Sequence, residues 1–507
     1  MRRAMLVLNG AGPYDYSARF DHFGDTQSSY DHPYFGQIFL AAVLGAIGYP
    51  GSFGLSADPS IHSIEMLYLV PRVLMGLLAI LDTFLVYKIA EWRYNRNVAL
   101  IASIAFAVMP ATWLLRRIYL DSIMLPFLLS SVLLAVYTKP AKEIDTSDRT
   151  NSSAHPQHGR IINTNIAIML SGVLLGLAIY TKIPAFTMIP LIGFLIHQNN
   201  KSLRKLGLWF IPVVLIPLMW PVYSMSVGQF DEWMEGFIHQ TQRSGSTLLD
   251  SMMTLYRIDP VIVSLGLAGL VFAIIKKDFF SLLWILPFIL LSVAIGFVQY
   301  FHLLILLPGL CFATGRIMEG LPKMIIRNKM LQNWSTLSSI AALGIFGLAS
   351  TSLLIWSNVN SSYFETYAFV VQHLPHSGNA DNNNGRATII TDHWWGLNIF
   401  WIPAYVLGED HDLRLDSTPS NIPKIPVKTD KVLMLLDPNL KERISLNSGH
   451  DKYFESLQVL YNNSKTIAIL GDNGTQFSAQ GYPFTSMAAM IENEHRPLGK
   501  LEVRTNY

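Results

Sequence analysis

The sequence predicts a polytopic α-helical membrane protein with a small α/β region at its C-terminal end. Three observations predict it. Apolar residues make up 51% of the 507, charged residues only 14%, and mean hydropathy is +0.33. Globular domains usually carry about 25% charged residues, and charge this sparse cannot cover a soluble particle of 56.9 kDa. Apolar runs long enough to cross a bilayer core of about 30 Å recur through the first 356 residues. Beyond residue 357 charge rises, and Asn, Asp, Gly and Ser punctuate short apolar runs. The net charge of +2 excludes nucleic-acid binding driven by bulk charge. The single cysteine, Cys311, excludes an intrachain disulfide, a Cys-based zinc site and a thiol relay.

Residues 1–65 read as an extracytoplasmic first loop with a juxtamembrane helix. Met5–Leu8 is too short for a signal-peptide core or a span. The stretch 33–49 is short, holds Pro33 and three glycines, and is expected along the membrane interface. A loop outside the membrane needs something to deliver it. A helix missing ahead of Met1 is the reading preferred here, over a stub carried across with the first hairpin.

Residues 66–356 read as the bundle. Ten spans are expected, near 66–88, 97–114, 118–138, 165–181, 183–197, 207–226, 259–276, 280–298, 301–318 and 336–356. Pro184 and Pro190 flank the fifth, which is expected to tilt or re-enter. With residues 1–65 outside, the predicted inner loops carry sixteen Lys and Arg and the short outer connections five. That asymmetry places the C-terminus outside as well. Residues 357–507 read as a soluble extracytoplasmic α/β domain. Strands are expected at Ala387–Thr391, Val432–Leu436 and Thr466–Leu470, and helices around Trp395–Val406 and Tyr453–Tyr461.

The chemistry-bearing residues gather at the predicted outer face. The first loop packs Asp15, Asp21, His22, Asp25, Asp31 and His32 into one segment. A carboxylate at the outer mouth of a bundle suits a general base acting on an acceptor hydroxyl, although Asp and His also favour turns and caps. A basic group sits at predicted outer helix ends: Arg72 opening the first span, Arg116 and Arg117 before Asp121, Lys182 ending the fourth and His302 beginning the ninth. Single cations at helix ends are usually interfacial anchors. Several around one cavity suit a phosphate or pyrophosphate leaving group, with Asp121 orienting one arginine. Asp82 is expected to pair with or reach towards Lys88. Asp231, Glu232 and Glu235, ahead of His239 and Arg243, suit either an acceptor entrance or a solvated amphipathic helix. No Walker loop, Rossmann glycine run or His-Glu-x-x-His motif is present.

These residues carry a resemblance. Asp31-His32-Pro33-Tyr34-Phe35-Gly36 resembles the Asp-x-His-Pro-Pro-Leu-Gly motif of the dolichyl-phosphate-mannose–protein mannosyltransferase family. That family belongs to the C-type superfamily of polytopic glycosyltransferases that use lipid-phosphate sugars. Arg72-Val73-Leu74-Met75-Gly76, Arg116-Arg117-Ile118-Tyr119-Leu120-Asp121, Gly176–Lys182 and His302–Pro308 resemble later family segments, in the same order. Asp15-Tyr16 stands where the family has Asp-Glu, Tyr34 replaces its second proline, and Phe301-His302 replaces Arg-Tyr.

The resemblance implies inverting transfer of a mannose-like hexose from a polyprenyl- or dolichyl-phosphate carrier to a protein or glycan acceptor at the outer membrane face. Asp15 would take the acceptor proton, with Asp31 the other candidate base. Arg72, Arg116, Lys182 and His302 would hold the lipid phosphate, and Asp31 and His32 would order the loop beside the donor. No metal and no further cofactor is expected, and the partners are the lipid-linked donor, the acceptor and membrane lipids, with no nucleic acid. The alternative is a transporter or flippase for a lipid-linked or anionic substrate, which should place ionisable residues on broken helices near the membrane midplane. A membrane-anchored scaffold is a third class.

Overall fold

The computed structural model describes residues 1–10, 12, 30, 32–51, 60–138, 163–242, 246–356, 361–373, 387–391, 412–415, 431–436, 438–446, 452–470 and 501–507. Two short helices, α1 (Arg2–Leu8) and α2 (Phe35–Ala46), precede the first long one, α3 (Ile61–Arg93). Ser60 caps α3 by accepting from the Ser63 N–H at 3.2 Å. At 33 residues α3 is roughly 50 Å long, more than a bilayer core needs, so the expected span 66–88 is only its middle.

The expected span 97–114 is two helices, α4 (Arg96–Val108) and α5 (Pro110–Leu115). Pro110 lacks the N–H needed to continue α4 and drives Met109 into extended backbone. One buried carboxylate bridges the break. Asp259 accepts from the Ala111 N–H at 3.2 Å and from the Ile262 N–H at 3.0 Å, capping α5 and the later helix α12 (Pro260–Ile275) together.

The bundle continues with α6 (Leu120–Tyr137), α7 (Thr164–Thr181), a 3-10 segment (Ile183–Met188) leading into α8 (Ile189–Asn200), and α9 (Leu203–Ser226). Next come α10 (Phe230–Thr241), α11 (Leu248–Ile258), α12 (Pro260–Ile275) and α13 (Phe279–Ile295). A second 3-10 segment (Tyr300–Leu306) leads into α14 (Leu307–Ile325), and α15 (Lys329–Trp356) follows. Each expected span falls on helical residues, and among the described residues six helices are long and apolar enough to cross a membrane. Their outward faces are apolar: Val73, Leu77, Ile80 and Phe84 of α3 and Ile211, Leu215 and Met219 of α9 are all exposed. Such stripes suit lipid rather than water. Helix contacts are close where side chains are absent. A Cβ on Gly172 or Gly176 of α7 would strike the Trp209 and Pro212 carbonyls of α9.

The C-terminal residues form a five-stranded mixed sheet in the order β2-β1-β3-β5-β4, from β1 (Ala387–Thr391), β2 (Asp412–Leu415), β3 (Lys431–Leu436), β4 (Lys465–Leu470) and β5 (Leu501–Thr505). β1 runs parallel to β2 and β3, while β5 is antiparallel to β3 and β4. Among the described residues three helices accompany the sheet: α16 (Ser361–His373), α17 (Pro438–Leu446) and α18 (Lys452–Asn463). The strands at 387, 432 and 466 and the helix at 453 stand where the apolar runs placed them. The helix expected at Trp395–Val406 lies outside the described residues.

The sheet does not stand apart from the first loop. Ile389, Leu433 and Val503 share one buried cluster with Val370 of α16, Ile64 and Leu67 of α3, Leu40 and Leu44 of α2 and Met5 of α1. The apolar scrap at Met5–Leu8 is therefore core, packed on α2.

Candidate functional site

The site is built where α6 begins and α7 ends. The two helices pack side by side and antiparallel, so Asp121, in the first turn of α6, meets Lys182, which caps α7. Their side chains, 5% and 7% exposed, form a buried ion pair. The reading that Asp121 orients an arginine is corrected here, because Lys182 occupies the carboxylate. Phe301, in the second 3-10 segment, lies over the ammonium at 5.1 Å and packs on the Tyr119 ring at 5.2 Å. Burial beneath an aromatic face strengthens the charge–charge and cation–π terms together.

His302 adjoins this roof, its ring centre 4.6 Å from that of Phe301. Its Nδ1 accepts from the Gln299 N–H at 3.3 Å, so in the neutral ring Nε2 carries the proton. That tautomer makes Nε2 a donor, suited to an anionic oxygen.

The first-loop motif reaches the same place. Tyr34 is buried against Tyr30, Tyr180, Trp220 and Tyr223, and the Tyr30 hydroxyl donates to Gln229 at 2.7 Å. α2 then starts in contact with both site helices. A Cβ on Gly36 would stand 2.6 Å from Leu120 and 2.8 Å from Thr181, the residues just before Asp121 and Lys182. Gly36 is the glycine that lets the His32-Pro33 segment approach the ion pair. Tyr34, standing where the family motif has proline, anchors that segment instead.

The other expected residues separate. Arg116 turns back along α4: its guanidinium lies 4.3 Å from the Phe106 ring centre and donates to the Phe106 carbonyl at 3.5 Å. It faces the charge of buried Asp82 and does not join Lys182. Asp82 does not reach Lys88 either, since Lys88 bonds Glu91 at 2.8 Å. Both corrections have local causes: Glu91, one turn further along α3, takes Lys88, and the Phe106 ring and carbonyl hold Arg116. Arg72 does not open its helix. It follows Pro71, about three turns into α3, on the exposed side. Arg117 stays at the α5–α6 connection, its carbonyl accepting from the Ser122 hydroxyl at 2.7 Å. His32 is half-buried beside Tyr34. Asp15, Asp21, His22, Asp25 and Asp31 lie outside the described residues, as do Arg243 and the His239 side chain.

The acidic stretch of α10 is an amphipathic helix. Asp231, Glu232 and Glu235 are exposed while Trp233 packs on Trp220 at 5.5 Å. Among the described residues no three His, Cys, Asp or Glu side chains converge to hold a metal. Sequence reasoning missed Asp259, whose reach to Ala111 leaves no local pattern, and Tyr119 and Phe301, whose rings meet only through the fold.

The sequence model of the dolichyl-phosphate-mannose-protein mannosyltransferase family matches residues 22–216. Over those residues the chain resembles that family. The matched stretch takes in His32, Arg72, Arg116, Arg117, Asp121 and Lys182, while Asp15 precedes it and His302 follows it. No curated protein matches the sequence. Among solved structures, apo ArnT from Cupriavidus metallidurans is similar over 100% of this chain and 93% of its own, with a TM-score of 0.55 and 11% identity. ArnT from the same organism bound to undecaprenyl phosphate gives 0.51 at 10% identity over the same shares. At such identities the likeness is one of fold. The apo Archaeoglobus fulgidus oligosaccharyltransferase covers 90% of this chain and 68% of its own with a TM-score of 0.47, too low to carry an argument.

Proposed function

We propose that the protein is a membrane glycosyltransferase that moves a mannose-like hexose from a polyprenyl- or dolichyl-phosphate carrier to a protein or glycan acceptor. The observation that carries this reading is the convergence of Asp121, Lys182 and the Phe301–His302 pair beside the His32-Pro33-Tyr34 segment. Most of that site lies within the stretch matching the family. Roles follow from the chemistry. Lys182, fixed by Asp121, and His302, donating from Nε2, hold the lipid phosphate as its charge develops. Arg72 and Arg117 steer the donor from the rim, and Arg116 is assigned a structural role beside Asp82. Asp15 takes the acceptor proton, with Asp31 the other candidate. The site and the C-terminal sheet face outside, a reading supported by the bias of basic residues towards the opposite loops. No metal takes part in the proposed step.

A second reading, transport or flipping of the lipid, draws on Asp82, buried inside the bundle and facing Arg116, beside the break at Met109–Pro110. One experiment separates the two. Purified protein reconstituted with a polyprenyl-phosphate hexose and a peptide acceptor is expected to transfer the sugar and release lipid phosphate. Movement of the lipid across the bilayer without transfer would replace the first reading with the second.

A further inference from the structure

The end of the bundle opposite the Asp121–Lys182 pair holds a cavity of about 310 Å³, lined by Arg93, Lys276, Lys277 and Arg316 with Tyr94 and Asp278. The connections α3–α4 and α12–α13 meet there, beside the C-terminal half of α14. Asp278 is buried, accepting from the Tyr94 hydroxyl at 2.7 Å and the Ser281 hydroxyl at 3.1 Å. The two guanidinium groups approach it only to 3.6 Å (Arg93) and 3.7 Å (Arg316), beyond hydrogen-bonding range. Among the described residues the Asp278 Oδ1 and the Arg93 Nε are buried without a hydrogen bond. Both arginines lie over the Tyr94 ring, Arg316 at 4.8 Å and Arg93 at 5.7 Å, which fixes their forks. The neighbouring carboxylate, Glu319, is held by Lys323 and by the Asn95 amide at 3.3 Å, so it does not offset this charge. Among the described residues four cations therefore face one carboxylate.

Two further features say what the surplus serves. Lys277 adopts φ 53°, the left-handed region usually left to glycine at such a helix end, so a basic side chain stands there against backbone preference. The outward stripe of α12, Leu267, Val271, Ile274 and Ile275, is exposed and runs directly into Lys276. A basic pocket between helices at the end of an apolar, lipid-facing stripe is the geometry that takes an acidic headgroup while its chains lie along the helix.

We propose that this cavity binds the phosphate of an acidic membrane lipid, with Arg93 and Arg316 as the fork and Lys276 and Lys277 at the mouth. This does not depend on the glycosyltransferase reading, since the cavity shares no residue with that site.

The test uses the full chain in detergent micelles, with bound lipid counted by native mass spectrometry against phosphatidylglycerol and phosphatidylcholine. Phosphatidylglycerol is expected to be retained and phosphatidylcholine lost. Lys276→Gln with Lys277→Gln leaves the Asp278 contacts intact and is expected to weaken retention by roughly 30-fold, about fivefold per lysine. Arg204→Gln with Lys329→Gln removes two exposed cations at the same end, away from the cavity, and is expected to change retention less than twofold. Equal loss in both variants would mean attraction by bulk charge and would overturn the site. Displacement of phosphatidylglycerol by inorganic phosphate would make it a site for the free ion, and no preference between the two lipids would remove it.

Discussion

The two ends of the bundle each bury a carboxylate beside basic side chains, yet they are built differently. At one end, among the described residues, Asp121 and Lys182 match one to one, beneath Phe301 and with α2 pressed against both helix termini. At the other, Asp278 accepts from Tyr94 and Ser281 on Oδ2 alone, while two arginines stand off and, among the described residues, two lysines have no matching acid in the cavity. The difference teaches that charge inside this protein is arranged by stoichiometry as well as by place. A matched pair fixes the positions of two helices. A surplus leaves a field for an anion that is not part of the chain.

The widest gap between the ends is expected in turnover. Asp15→Asn should lower sugar transfer by about two to four orders of magnitude while donor binding is kept, because Asn preserves shape but cannot take a proton. Single-turnover kinetics with a polyprenyl-phosphate hexose decide it, and an unchanged rate passes the role to Asp31. Stability should separate the ends next. Lys182→Met leaves a buried, unpaired carboxylate and should cost about 3–5 kcal/mol, with much of that recovered when Asp121→Leu is added. Arg93→Gln should cost only about 1 kcal/mol, since Arg316 and two hydroxyls remain on Asp278. Thermal unfolding of the four proteins reads both, and equal losses at the two ends would abolish the distinction.

Gly36→Ala probes how closely the first-loop motif is pressed onto the matched end. Its methyl meets Leu120 and Thr181 and should cost about 1–3 kcal/mol, with transfer slowed as well. The smallest effect concerns the sheet, remote from both ends. Burial pushes the Glu502 carboxyl up, but hydrogen bonds from Lys441, Thr466 and Arg504 outweigh it and hold the group down at about 2, against 4.5 ordinarily. Its contribution is complete above pH 4.5 and disappears as pH falls through about 2. Unfolding followed across that range should show a loss that Glu502→Gln flattens.

Much of this was legible in the residues. The apolar runs expected as spans fall on helical residues, six of them in helices long enough to cross, and short apolar runs located three strands, because both patterns are local. The break at Met109–Pro110 was legible in principle, since a proline inside an apolar run carries its own steric signal. The partners of charged residues were not. Arg116 and Arg117 are adjacent to Asp121 in sequence, yet Lys182 claims the carboxylate across 61 positions because α6 and α7 pack antiparallel. β5 was missed although Leu501–Thr505 alternates apolar residues with Glu502 and Arg504, a strand pattern that five residues carry only weakly.

The place of that strand has a consequence for how the protein is made. β5 is the latest strand in sequence but sits inside the sheet, between β3 and β4. β3 and β4 come earlier in the chain and have no direct pairing with each other, so the sheet closes only when residues 501–505 pair with both. Val503 then enters the cluster that also buries Ile64 and Leu67, near the start of the first long helix. The start of that helix is thus covered partly by α1, α2 and α16 and partly by strands that come much later in the sequence.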